Sequence, residues 1–159
     1  MITKSKAQTQ KMAAALARKI LRAKNIRKKA LIISLRGDLG SGKTTFTQGF
    51  LKALGVREPV KSPTFVLIHH HKIPQPKKGA RMPYAIRHML YADIYHIDLY
   101  RLKNSREARH LKLKKIFKNP RAILMIEWPE IITSLLPKDT IQITFRHGKK
   151  EYERNIRIQ

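Results

Sequence analysis

The stretch Leu31-Ile32-Ile33-Ser34-Leu35-Arg36-Gly37-Asp38-Leu39-Gly40-Ser41-Gly42-Lys43-Thr44-Thr45-Phe46 decides the fold. Leu31 to Leu35 form a short apolar run suited to a buried strand. Residues 37–44 satisfy G-x-x-x-x-G-K-[ST] at every fixed position. Lys43 to Leu54 then read as a helix with Phe46, Phe50, Leu51 and Leu54 on one face and Gly55 as its stop. A strand, a glycine-rich turn and a helix in that order form the setting in which this motif binds phosphate. The glycines let successive backbone N–H groups approach phosphate oxygens, and the helix N-terminus favours the anion. Lys43 is expected to act as a point charge on the terminal phosphates, and the Thr44 hydroxyl to ligate magnesium. The expected ligands are therefore ATP and Mg2+.

Outward from this motif, alternation continues. Residues near Ser5 to Lys24 carry one apolar stripe of helical period, and strands are expected at Thr64 to Ile68, Ile94 to Leu99 and Ala122 to Ile126. Ser105 is placed as the cap of a short basic helix reaching toward Phe117. Pro129 opens a brief helix ending before Pro137, and Thr140 to Phe145 with Tyr152 to Ile158 form a terminal hairpin. The implied fold is α/β: a single P-loop domain over residues 1–159, with a mostly parallel central sheet flanked by helices and an antiparallel C-terminal hairpin.

Composition bounds the partners. The chain has 159 residues, 42% of them hydrophobic, which is enough for a core. Zero cysteines exclude disulfides, thiolate catalysis and Cys-ligated metal centres. No apolar run approaches the length of a membrane span and no signal-peptide pattern opens the chain, so a cytoplasmic protein without membrane contact is expected. Lys and Arg number 35 against 10 Asp and Glu, a net charge of +25. Residues 1–37 hold eleven Lys or Arg and no acid, and from Arg101 to Arg121 only Glu107 is acidic. Such a surface attracts polyanions, so contact with tRNA competes with a general basic shift as its explanation.

Because acids are scarce, their positions matter. Glu127 directly follows Ala122 to Ile126, at the strand end where magnesium nucleotide sites need a carboxylate. It is expected to bind the metal directly or through water, or to orient the attacking water, against the alternative of a helix N-terminal acid. Asp98 follows Tyr95-His96-Ile97 in the same manner, with a salt bridge to Arg101 as its structural alternative. On a strand the consecutive His69, His70 and His71 would alternate between faces and could not readily converge on one metal, and they are expected at a strand end or in a loop. His96 reads as a packed or hydrogen-bonded histidine.

Four blocks in order, Gly37 to Phe46, Lys61-Ser62-Pro63-Thr64-Phe65, Tyr95 to Leu102 and Ile126-Glu127-Trp128-Pro129-Glu130, resemble the TsaE family, bacterial ATPases required to make threonylcarbamoyladenosine on tRNA. The resemblance covers nearly the whole chain. It implies weak ATP hydrolysis within an assembly containing the tRNA threonylcarbamoyl-transferase subunit and its paralogous partner subunit. It also implies that Ser62-Pro63-Thr64 is a nucleotide-sensing loop and that Asp98 belongs to the ATPase site. Glu127 becomes the magnesium-associated acid, and Trp128 adjoins it. The site set is thus Lys43, Asp98 and Glu127 for catalysis, Thr44 and Glu127 for metal, and Asp38, Leu39, Gly40, Ser41, Gly42, Lys43, Thr44, Thr45, Thr64 and Trp128 for nucleotide. Departures are a basic rather than acidic segment after the Asp98-Leu99-Tyr100-Arg101 block, a long basic stretch from Pro74 to Ala92, and an N-terminus short of an initial strand. The rival functions are a small-molecule P-loop kinase, with Arg81 or Arg87 on its lid, and a nucleic-acid-binding module with a vestigial nucleotide site.

Overall fold

The computed structural model describes residues 1–23, 28–58, 67–73 and 93–159. Its strands are β1 (Ile2–Thr3), β2 (Leu31–Arg36), β3 (Ile68–Lys72), β4 (Asp93–Asp98), β5 (Ala122–Glu127), β6 (Ile141–His147) and β7 (Arg154–Ile158). The helices are α1 (Lys6–Arg22), α2 (Lys43–Ala53), α3 (Ser105–Arg109) and α4 (Leu113–Phe117), with a 3₁₀ segment at Pro129–Leu135. The strands form one sheet in the order β1-β7-β6-β2-β5-β4-β3. Its centre, β6-β2-β5-β4, is parallel throughout, and both edges turn antiparallel: β6 with β7, β7 with β1, and β3 with β4.

The two innermost strands are covered on both faces, which is why they read as continuous apolar runs rather than alternating ones. Every residue of β5 is buried, as are Leu31 to Leu35 of β2. Ile33, Leu35, Ile123, Met125 and Ile143 pack under α1 and α2, and Ile32, Leu124 and Ile126 pack on the other face against α3, α4 and the 3₁₀ segment. Phe46 and Phe50 of α2 are fully buried in the first layer, each contributing roughly 1.5–3 kcal/mol by leaving water. Helices α1 and α2 meet at Gly49, where a Cβ would lie 2.5 Å from the Gln10 Cα, so any side chain there forces the helices apart.

Several expectations need correction. The strand placed at Thr64 to Ile68 begins at Ile68, and Thr64 itself lies outside the described residues. His69, His70 and His71 are neither in a loop nor at a strand end. They occupy the middle of β3, paired with His96, Tyr95 and Ile94, because this edge accepts a different partner on each face. His71 turns inward to Glu58 at 2.9 Å, while His70 stacks on Tyr95 and bonds Asp93 at 2.8 Å. The segment after Tyr100 forms two short helices broken at Lys112, whose φ is +50°, and its cap is Asn104 rather than Ser105. The Asn104 side-chain oxygen accepts from the N–H groups of Arg106 and Glu107 at 3.0 and 3.2 Å. A short initial strand is present after all, with Ile2 and Thr3 pairing Asn155 and Arg154. The Pro74 to Ala92 stretch falls outside the described residues.

Candidate nucleotide site

Strand β2 ends at Arg36 and the chain turns through Gly37 to Gly42 into α2 at Lys43. Gly37, Gly40 and Gly42 all have positive φ. At Gly37 the requirement is double, because a Cβ there would also collide with the Phe145 carbonyl oxygen. The loop is braced from outside by the β6–β7 hairpin. An Arg154 Nη2–H donates to the Gly40 carbonyl at 2.9 Å, and the His147 ring nitrogen Nε2 lies 3.1 Å from the Leu39 carbonyl oxygen. A cleft of about 470 Å³ opens above the loop, walled by the start of α1 (Ser5, Lys6), by Thr44 and Thr45, by Tyr100 and by Tyr152.

Lys43 is only 4% exposed. Its ammonium donates to the carbonyls of Gly37 and Asp38 at 2.6 and 2.9 Å and sits 3.9 Å from the Trp128 ring centroid, a cation–π contact. Burial pulls its pKa below the ordinary lysine value, against the opposing pull of Glu127, Asp98, Glu130 and Asp38. A positive charge in this position gains most from an anion that replaces its missing hydration.

The carboxylate side is equally buried. Parallel pairing of β4 with β5 sets Asp98 directly beside Glu127 at the carboxyl ends of both strands. Glu127 is 2% exposed and Asp98 9%. The Thr44 hydroxyl donates to Glu127 Oε2 at 3.0 Å. The other oxygen, Oε1, lies 2.8 Å from His96 Nε2 and 3.4 Å from the Thr47 hydroxyl, which also bonds the Lys43 carbonyl at 3.2 Å. Asp98 Oδ1 accepts from the Tyr100 N–H at 3.0 Å, and the Tyr100 ring meets Trp128 at 4.9 Å between centroids. Trp128 follows Glu127 with φ +58°, a left-handed conformation that costs of order 1 kcal/mol in a non-glycine residue and turns the chain into the 3₁₀ segment.

The structure therefore brings Lys43, Thr44, Asp98, Glu127 and Trp128 to one cleft, together with Leu39, Gly40, Gly42 and Thr45. Asp38 contributes its carbonyl oxygen to the loop, accepting from Lys43 and from the Ser41 N–H. Ser41, within the loop, is fully buried, and its hydroxyl has no partner among the described residues. Thr64 lies outside the described residues. Sequence reasoning misses His96 and Thr47 as partners of Glu127, and Arg154 and His147 as braces of the loop. Their signals exist only as pairing register and as residues over a hundred positions away.

The donor set suits magnesium nucleotide. One carboxylate oxygen and one hydroxyl, both hard oxygen donors, meet at the cleft wall, and magnesium commonly takes one or two carboxylates with the rest of its shell from phosphate and water. Among the described residues no cluster of three or more His, Cys, Asp or Glu offers a self-sufficient protein cage. No described helix is long and apolar enough to cross a membrane.

Comparison with known proteins agrees with this geometry. The family model described as "Threonylcarbamoyl adenosine biosynthesis protein TsaE" matches residues 3–156. The tRNA threonylcarbamoyladenosine biosynthesis protein TsaE of Bacillus subtilis is 34% identical over 77% of this chain and 66% of its own length. That of Haemophilus influenzae is 36% identical over 72% of this chain and 62% of its own length, so the chain spans a little under two thirds of each of these relatives. The crystal structure of Bacillus subtilis YdiB superposes with a TM-score of 0.67 at 26% identity, covering 99% of this chain and 82% of that one. With a parallel-centred sheet that sets Lys43, Thr44 and Glu127 around one cleft and a family match over almost its full length, the chain belongs to the TsaE family.

Proposed function

We propose that the chain is a P-loop ATPase, one domain over residues 1–159, that binds Mg-ATP in this cleft and hydrolyses it slowly in support of threonylcarbamoyladenosine formation on tRNA. The observation that carries this reading is the 3.0 Å bond between the Thr44 hydroxyl and Glu127, beside the buried Lys43 ammonium. Phosphoryl transfer asks a protein mainly for positioning and charge neutralisation. Here the loop N–H groups and the α2 N-terminus hold the phosphates, and Lys43 meets the charge that develops on the terminal one. Bound magnesium would neutralise the phosphate oxygens and be held by Thr44 and Glu127. Asp98, beside Glu127, adds a second carboxylate for the metal's water shell or for the attacking water. Trp128 and Tyr100 line the cleft with their rings in contact and offer it an apolar wall.

The relatives are named for tRNA threonylcarbamoyladenosine biosynthesis, which supports tRNA as the molecule finally modified. The cleft is the size of a nucleotide site, so transfer to tRNA is assigned to the transferase subunit and its paralogous partner, with which this chain would assemble in the cytoplasm. The basic face of α3 and α4 is the part of this protein that suits a tRNA contact.

Phosphate release measured with Mg-ATP alone, with tRNA, with small acceptors and with the two partner subunits tests the reading. Slow basal release, stimulated by the partners and dependent on Mg2+, is the expected outcome. Stoichiometric phosphorylation of a small acceptor makes the chain a kinase, and absence of both binding and release in the reconstituted assembly rejects the proposal.

A further inference from the structure

His96 is fully buried, on the same face of the sheet as Glu127, and its Nε2 lies 2.8 Å from Glu127 Oε1. Its other ring nitrogen, Nδ1, is buried with no hydrogen-bond partner among the described residues. An ionised carboxylate can only accept, so the proton of this bond belongs to Nε2. Leaving Nδ1 bare avoids a buried N–H without an acceptor, which costs about 1–3 kcal/mol. Among the described residues the arrangement thus favours the tautomer that carries its proton on Nε2.

The consequence falls on Glu127. Its Oε1 is held from below by His96, with Thr47 alongside, while Oε2 meets Thr44 at the cleft. The carboxylate cannot turn without giving up a 2.8 Å charge-assisted bond in a dry interior. We propose that His96 is a positioning residue whose neutral Nε2–H locks Glu127 so that only Oε2 is presented to Thr44 and the metal side of the cleft. This inference rests on the ATPase reading above and adds to it the residue that orients the acid. An imidazole at this place resembles in reverse the pairing in which a carboxylate orients a metal-bound histidine, where loss of the outer partner typically lowers metal affinity or activity roughly 10- to 100-fold.

Three substitutions separate positioning from packing. His96→Phe keeps a buried ring and removes the donor, whereas His96→Gln keeps an N–H. His96→Phe is expected to lower kcat roughly tenfold or more and to raise the Mg2+ concentration that half-saturates nucleotide binding by a similar factor. The apparent affinity for nucleotide without Mg2+ stays within about threefold of wild type. His96→Gln should recover part of both losses. In a Glu127→Gln background, His96→Phe should cost little more, because the group it orients is already gone. Equal losses for His96→Phe and His96→Gln, or full additivity with Glu127→Gln, would overturn the proposal and leave His96 a packing residue.

A readout free of catalysis completes the test. Ring 15N–1H correlation spectra of the apo protein should show His96 as the neutral Nε2–H tautomer, with a proton resonance that moves in Glu127→Gln. An Nδ1–H tautomer, or a His96 signal indifferent to Glu127→Gln, rejects the inference even if His96→Phe fails to fold. Wild-type protein that neither binds nor hydrolyses ATP would instead reject the ATPase reading, with the NMR result still deciding the His96–Glu127 link.

Discussion

Charge is concentrated in two regions of this molecule under opposite conditions. At the carboxyl ends of the parallel strands, Lys43, His96, Asp98 and Glu127 are each at most 9% exposed, and their partners are set at 2.6–3.0 Å. Along α3, α4 and their flanks, Arg106, Arg109, Lys112, Lys114, Lys115 and Lys118 face solvent, and the one acid, Glu107, engages the Lys103 N–H and the Asn104 amide with its carboxylate. The buried charges have given up hydration that only specific partners or ligands replace, so each is tied to one geometry. The exposed charges keep their water, act through their summed field and weaken with salt. Chemistry is thus assigned to the first region and long-range attraction to the second.

The sharpest way to break this division is Lys43→Ala. Removing the buried ammonium should lower hydrolysis by roughly two to three orders of magnitude, the scale of removing one donor that stabilises transition-state charge, in a phosphate-release assay on folded protein. Wild-type activity in that variant would show the buried charges to be structural. Glu127→Gln comes next: it keeps the shape, removes the anion and leaves the Thr44 hydroxyl and His96 without a charged acceptor. Hydrolysis should fall roughly 10- to 100-fold while nucleotide still binds in a titration followed by the fluorescence of Trp128, which touches Lys43.

A smaller effect is expected at the border of the two regions. Arg154→Ala removes the side chain that ties the hairpin to the Gly40 carbonyl and should weaken nucleotide binding by about 1 kcal/mol, a few-fold change in Kd by calorimetry. No change would mean that the glycine backbone holds the loop by itself. The smallest effect belongs to the exposed face. Replacing Lys112, Lys114 and Lys115 with Gln should leave basal hydrolysis unchanged and alter stability by at most about 0.5 kcal/mol per site. It should also reduce the salt dependence of tRNA binding by a log–log slope of roughly 0.7–0.9 for each RNA phosphate that is no longer neutralised. Equal affinity for an unrelated RNA before and after substitution would reduce this face to a general basic surface.

The parts of this fold legible in the sequence are those determined locally. Leu31 to Leu35 and Ala122 to Ile126 lie in the middle of the sheet, where burial on both faces demands unbroken apolar runs, and the glycine spacing of residues 37–42 follows from backbone angles. The family resemblance shares the glycine-rich turn with these stretches and adds the blocks at Lys61 to Phe65, Tyr95 to Leu102 and Ile126 to Glu130. What is not legible depends on pairing. Three consecutive histidines carry no strand signal by propensity, and β3 forms because β4 offers it a ladder while Glu58 and Asp93 give His71 and His70 carboxylate partners. Asn104 outcompetes Ser105 as a cap because its longer side chain reaches two N–H groups at once. The link from His96 to Glu127 exists only once β4 and β5 are in register, so no reading of either segment alone contains it.

The hairpin that braces the phosphate loop has a consequence for the order in which the protein is made. His147 and Arg154 reach back 108 and 114 positions to Leu39 and Gly40. During vectorial synthesis the loop, α1 and α2 therefore leave the ribosome long before their outer wall exists, and the strand that borders β2 on that side, β6, arrives just as late. These long-range closures cost chain entropy before their contacts form, which places them late in folding as well. A nascent chain ending after β5 carries Lys43, Thr44, Asp98 and Glu127 yet lacks the hairpin that braces the loop beside them, so the crevice is framed only once β7 has been made.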